Sequence, residues 1–203
     1  MEVIDITRYT IDEKISIARN YLEKDICKAY GIKPEKALTH LSLSNTSLIC
    51  CHKLLLLDLS WNHLVGSVPS WFGKFESLFY LDLSINSLQG EIPKSLTVLQ
   101  SLISGNITIE EPDSSFQLSL AQQGGPTLTY RQISSFRPTL DLSYNNLQGP
   151  IWPDFWNLKR LHVLNLKENN LSGPIPNNLS GMRDLEKLDL SHNKLSGEIP
   201  VQW

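Results

Sequence analysis

Residues 81–93 read LDLSINSLQGEIP, and the same template returns at 57–69 (LDLSWNHLVGSVP), 140–152 (LDLSYNNLQGPIW), 164–176 (LNLKENNLSGPIP) and 188–200 (LDLSHNKLSGEIP). The shared asparagines Asn62, Asn86, Asn145, Asn169 and Asn193 are spaced 24, 59, 24 and 24 residues apart. A fixed period of this size marks a stacked array, because no single copy can bury its own apolar side and its neighbours must do so. In each copy the two leucines of LxL point to the core while the flanking positions alternate outward. Tyr80, Asp82 and Ser84 therefore share a face opposite Leu81 and Leu83, and that face is expected to become a concave surface. The five asparagines are expected to be structural, each placing its amide in a tight bend where it bonds the backbone of adjacent turns. The recurrent glycine allows an unusual backbone angle, and the Ile-Pro pair stiffens a segment that lacks a ladder donor.

The spacing of 59 exceeds one period by about 35 residues, so an insertion is expected over roughly 105–139. It has no LxxLxL register, and Pro112, Gly124, Gly125 and Pro126 supply turns. The alternation at 116–120 suits a short strand. Long excursions from a rigid scaffold tend to carry function, the alternative being an idle surface loop.

The extended template LxxLDLSxNxLxGxIPxxLxxL resembles the plant class of leucine-rich repeat found in the ectodomains of receptor-like kinases and receptor-like proteins. The order of repeats from residue 54 to 200 is similar to the phytosulfokine receptors, with an interruption carrying ITIEEP (107–112) and TYRQI (129–133). The resemblance implies an α/β repeat solenoid: a leucine-rich-repeat superhelix with short parallel strands and one island loop. It further implies a non-catalytic recognition module for a peptide or a protein partner of co-receptor type. In that family a short tyrosine-sulfated peptide pairs with an island strand and lies on the neighbouring concave face. Carried over, the resemblance points to Asp58, Ser60 and Trp61 on that face and to Phe116 and Leu118 on the island. Asp58 matches a ligand-contacting acid of the family; a solvated carboxylate is the other reading, since Asp82, Asp141 and Asp189 recur at its position. Where the family carries a Lys-Arg pair, this chain reads FQLSLAQQ over 116–123, so the expected cation is absent and weak binding follows.

Sequence character changes near Lys36. Of 34 leucines only Leu22 lies in residues 1–36, whereas 14 of the 39 charged residues do, so two kinds of sequence meet there. A strand is expected over 2–7. A capping box at Thr10-Ile-Asp-Glu13 then opens a helical extension with Ile15, Ala18, Leu22, Ile26 and Ala29 on one stripe, closed by Gly31 and Pro34. This stretch resembles plant organellar Lon proteases at the junction of the AAA+ core and its lid. The chain has no GxxxxGK[ST] phosphate loop, no acidic metal-binding run and no serine-lysine peptidase segment, so an ATP-dependent protease is rejected. Kinase signatures are missing as well. The expected organisation is thus a Lon-like fragment (1–36), a junction with a degenerate partial repeat (37–53), repeats (54–104), the island (105–139) and further repeats (140–203). A chimeric product without function, or a soluble decoy or adaptor, is the alternative to a recognition module.

The remaining signals exclude more than they assign. Eighteen basic against 21 acidic residues give a net charge of −3, which offers no field for nucleic acid, and 41% hydrophobic with 19% charged residues rules out bulk disorder. No apolar run approaches a membrane span, and the first twenty residues lack a signal-like apolar segment. The family sits in the plasma membrane with its repeats outside; this chain, read without a targeting signal, leaves a cytosolic location open. Cys27, Cys50 and Cys51 have no metal-ligand spacing, and His40, His52, His63, His162 and His192 assemble no catalytic set, so neither metal nor cofactor is expected. Asn45, Asn106, Asn170 and Asn178 head glycosylation sequons, relevant if the chain is exported. The array enters its repeats abruptly, Leu41 and Leu57 lying only 16 apart, and ends inside a repeat. Raw apolar edges and self-association are therefore expected.

Overall fold

A computed structural model describes residues 2–5, 54–104, 118–120, 128–130 and 135–200. The predicted helix of residues 10–29, the junction 37–53, all three cysteines, His40, His52, Asn45, Asn106 and Phe116 lie outside these residues.

Each repeat turns its LxL into a short strand: Leu54–Asp58 (β2), Tyr80–Asp82 (β4), Thr139–Asp141 (β8), Val163–Asn165 (β10) and Lys187–Asp189 (β12). With Glu2–Asp5 (β1) they form one parallel sheet in the order β1-β2-β4-β8-β10-β12. The register aligns Leu57, Leu81, Leu140, Leu164 and Leu188 in a single inward row. The first four of these leucines are at most 3% exposed. Burying a leucine contributes about 1.5–3 kcal/mol, so this row is a main source of cohesion between turns.

After each strand the chain bends, and a second set of strands follows: Val65–Ser67 (β3), Ser87–Glu91 (β5), Asn146–Gly149 (β9), Asn170–Pro174 (β11) and Lys194–Ser196 (β13), stacked in parallel as β13-β11-β9-β5-β3. The recurrent glycine, within the first four of these strands and just after β13, has φ between 80° and 92°, as the sequence suggested. Among the described residues, four complete 3-10 turns close the coil: Ser70–Lys74 (η1), Lys94–Val98 (η2), Pro153–Asn157 (η3) and Asn177–Gly181 (η4). The residue before each turn is extended with φ between −68° and −63°. Pro69, Pro93 and Pro176 hold that angle by their rings, and in η3 the proline moves into the turn itself. Each turn drives an apolar side chain fully inward, Phe72, Leu96, Phe155 and Leu179, all at most 1% exposed, and η1 buries Trp71 as well.

The bends use a conformation that sequence reasoning missed. Trp61, Ile85, Tyr144, Glu168 and His192, each just before the asparagine, have φ between 52° and 56°. Left-handed backbone is unfavourable for such residues, and for β-branched Ile85 most of all. The stack makes use of it: the carbonyls of Ile85, Tyr144, Glu168 and His192 accept the backbone N–H of Asn62, Asn86, Asn145 and Asn169 from the preceding turn. The asparagine amides complete the bend. Asn86 Nδ2 donates to Leu59 O, Leu83 O and Ser84 O, while its Oδ1 accepts from Leu64 N. Asn145, Asn169 and Asn193 repeat the pattern one turn on.

The expectation of raw apolar edges at both ends needs correction at one of them. Strand β1 pairs in parallel with β2, and Leu54–Leu57 are no more than 6% exposed. At the other end Leu188, Leu190 and Leu195 are only partly buried and Ile199 is 79% exposed.

Candidate functional site

The alternation of the first sheet lays three rows across its outward face: Tyr80, Thr139, Val163 and Lys187; then Asp58, Asp82, Asp141, Asn165 and Asp189; then Ser60, Ser84, Ser143, Lys167 and Ser191. The acidic row is first of all a set of local turns. Oδ1 of Asp58, Asp82, Asp141 and Asp189 accepts the N–H of the serine two residues on at 2.9–3.0 Å. The serine hydroxyl also donates from Ser143 to Asp141 and from Ser191 to Asp189, both at 2.6 Å. Asp58 is 1% exposed and Ser60 2%, so the solvated reading of Asp58 fails and neither side chain stands open at the surface. Trp61, the next residue, is 39% exposed.

Stacking aligned carboxylates on neighbouring strands has an electrostatic cost. Burial first, then the charges of Asp141 and Asp58, hold Asp82 well above the usual carboxylate range, and burial raises Asp141 despite bonds from Ser143 and Asn165. Asp189, at the open end, is lowered chiefly by the Ser191 hydroxyl. A carboxylate raised on folding gives a folded state that binds more protons than the unfolded one, so its unfavourable contribution shrinks as pH falls through the raised value towards 3.8. Asp189 acts oppositely and loses its contribution below 3.8. Chemical denaturation should therefore show stability rising from neutral to mildly acidic pH and falling again below the ordinary carboxylate range. Asp82→Asn should raise stability at neutral pH and flatten that rise. The repeat containing Asn165 already carries the amide at this position, where Nδ2 donates to Asp141 Oδ2 at 2.8 Å.

The island leaves and rejoins the scaffold beside this face. A short helix, Gln100–Ser104 (α1), is its first foot: Leu102 is buried, its carbonyl accepts Arg160 N, and the Ser101 hydroxyl donates to Leu78 O. The second foot is Phe136, 6% exposed, whose ring meets Tyr80 edge-on at 5.5 Å. Phe136 and Thr139, at the end of the expected 105–139 span, are thus part of the buried core. Next to Phe136, Arg137 pairs with Glu186, and His162 stands 3.9 Å from the same carboxylate. Lys167 lies over the Tyr144 ring at 5.4 Å, and its pKa is raised mainly by a hydrogen bond to Tyr144.

Within the island, Leu118–Leu120 (β6) and Leu128–Tyr130 (β7) form an antiparallel hairpin in which Leu118 faces Tyr130 and Leu120 faces Leu128. A strand was expected where β6 lies. Its partner was not, although Leu-Thr-Tyr has the β-branched and aromatic character that a strand favours. Of the described sequons, Asn178 is exposed on η4 and Asn170 is half-buried at the start of β11. Among the described residues no cluster of His, Cys, Asp and Glu could hold a metal ion, and no helix is long and apolar enough to cross a membrane.

Comparison with known proteins accords with this geometry. The leucine rich repeat family matches residues 138–195, and a second leucine rich repeat family matches 53–75 and 77–99; together they cover about half the chain. Phytosulfokine receptor 1 of Arabidopsis thaliana is 58% identical over 54 residues, 27% of this chain and 5% of the receptor. Lon protease homolog 3, mitochondrial, of the same plant is 51% identical over 49 residues, 24% of this chain and 5% of that protein. The chain thus spans about a twentieth of the length of either relative. Among solved structures, the Arabidopsis receptor kinase HAESA, in complex with the peptide hormone IDA and the co-receptor SERK1, is similar with a TM-score of 0.57 and 30% identity over 77% of this chain and 20% of that one. The BIR3–SERK2 complex from Arabidopsis thaliana gives 0.52 and 32% over 72% of this chain and 60% of that one. The fold is that of plant leucine-rich-repeat receptor ectodomains.

Proposed function

We propose that this chain, a member of the leucine-rich-repeat family, is a non-catalytic recognition module that holds an extended peptide along its concave face beside the island. The observation that carries this reading is the pairing of β6 with β7 in the insertion, together with Phe136, where the chain returns to the scaffold, set against Tyr80 of the outward face. A strand edge supplies backbone hydrogen bonds to a peptide, and the neighbouring face supplies side-chain contacts. Phe116 and Leu118 belong to the island side of that arrangement and Trp61 to the concave side. Asp58 and Ser60 act from beneath, by fixing the bend that presents Trp61. The kinship with receptor ectodomains favours a second protein partner beside the peptide, since HAESA is found in complex with both a peptide hormone and a co-receptor.

No Lys or Arg occurs between Phe116 and Tyr130, and the described cations Arg137 and Lys167 are engaged, with Glu186 and Tyr144. An acidic group on the peptide therefore lacks one charge-assisted bond, worth about 1.5–3 kcal/mol, or roughly ten- to a hundredfold in affinity. Titrating the full chain with a tyrosine-sulfated pentapeptide and its unsulfated form should show weak binding that depends little on sulfation. Trp61→Ala should abolish it. Absence of binding by either peptide would sink the reading, while tight, sulfate-dependent binding would show that a cation outside the island completes the site.

A further inference from the structure

The segment Ile4-Asp5-Ile6-Thr7 has the same order of chemistry as Leu57-Asp58-Leu59-Ser60 and Leu81-Asp82-Leu83-Ser84: apolar, acid, apolar, hydroxyl. The sheet pairs the copies in that register, Ile4 with Leu57 and Asp5 with Asp58, just as Leu57 pairs with Leu81 and Asp58 with Asp82. Ile4 thus takes the register position of the leucine row and Asp5 that of the acidic row. A slip of one residue would set Asp5 against Leu57. Five positions after Ile4 stands Tyr9, where every repeat has its asparagine five positions after the first leucine. The segment copies the strand of a repeat and omits its ladder, as terminal members of repeat arrays do.

We propose that β1 is a pseudo-strand of the array that covers the β2 edge, and that this edge is a parallel-strand acceptor specific for an apolar residue followed by an acid, in register with Leu57 and Asp58. An edge strand of four consecutive leucines, Leu54–Leu57, is a template for indiscriminate pairing unless something covers it. The resident strand covers it, although its sequence belongs to the Lon-like part of the chain. The irregularity between Glu2 and Val3 confines regular pairing to Val3 onwards, one residue before the match to the repeat begins.

Amide hydrogen exchange on the full chain tests this directly. Leu59 N donates to Asp82 O, so the odd residues of β2 face β4, and by alternation the amides of Leu56 and Asp58 face β1. Both should be protected in the unaltered protein. Ile4→Pro removes the donor turned towards β2, and exchange at Leu56 and Asp58 should then quicken about tenfold or more while the amides of Leu142 and Leu166 hold. A peptide of residues 1–10 added to that variant should restore protection, and one with Ile4 and Asp5 interchanged should not. Free exchange of Leu56 and Asp58 in the unaltered chain, no response to Ile4→Pro, or equal rescue by both peptides would each overturn the proposal. Should Ile4→Pro unfold the whole chain, exchange in the unaltered protein decides alone.

Discussion

Asn145→Ala should destabilise the solenoid by about 3 kcal/mol or more, since a buried polar group left without its partner costs about 1–3 kcal/mol and this change orphans several. Asn145 is 7% exposed; Nδ2 donates to Leu83 O, Leu142 O and Ser143 O at 3.0–3.2 Å, and Oδ1 accepts from Leu88 N at 2.9 Å. Water has little access to replace those partners. Asn193 makes the same set of bonds, to Leu166 O, Leu190 O, Ser191 O and from Leu171 N, but in the last repeat, where the surroundings are partly open. Asn193→Ala should therefore cost only about 1 kcal/mol, because water satisfies much of what is lost. Urea denaturation of the two variants measures both. Equal losses would show that bond number matters here and burial does not.

The comparison of Asn145 with Asn193 shows how much of the molecule could be read in advance. A side chain repeated every 24 residues in a bend reveals its role through periodicity, and the leucine rows follow from the same count. Periodicity says nothing about features carried by residues of varied type. The left-handed position holds Trp61, Ile85, Tyr144, Glu168 and His192, five different side chains, because the backbone of the stack imposes the conformation whatever residue is there. The island was legible as an interruption. Its feet were less so: Phe136 has no counterpart in the template and is fixed by its contact with Tyr80.

The candidate site was the harder part for a related reason. Alternation places Asp58 and Ser60 on the outward face, and they are there, yet the bend that Asp58 caps draws both below the surface. Period two gives the side of a sheet on which a residue lies and gives no depth. Depth depends on what crosses over the face, which is a long-range property. The pairing of β1 with β2 has the same character. It joins residues some fifty positions apart whose sequences resemble different proteins, and only the shared order of side chains hints at it.

A second position invisible to periodicity should produce a loss of similar size. Gly73 lies in η1. A Cβ at Gly73 would fall 2.6 Å from Ser95 Cβ and 2.7 Å from Ser95 C, on the adjoining turn. Its backbone is not left-handed, so alanine meets no conformational penalty and the obstacle is contact alone. The obstructing atoms belong to the backbone and the root of a side chain, which cannot swing away, so η1 and η2 must separate. Forcing atoms into a filled space costs about 1–3 kcal/mol, occasionally more, and Gly73→Ala should lie at the upper end because the separation also disturbs the packing of buried Phe72 and Leu96. Gly181, in η4, is the control: its added Cβ would sit 3.5 Å from the Trp156 ring, an ordinary contact. Gly181→Ala should be neutral or stabilising by up to about 1 kcal/mol, through the lower entropy of the unfolded chain. If thermal and urea denaturation gave the two substitutions the same effect, close approach between successive 3-10 turns would not be what requires glycine at position 73.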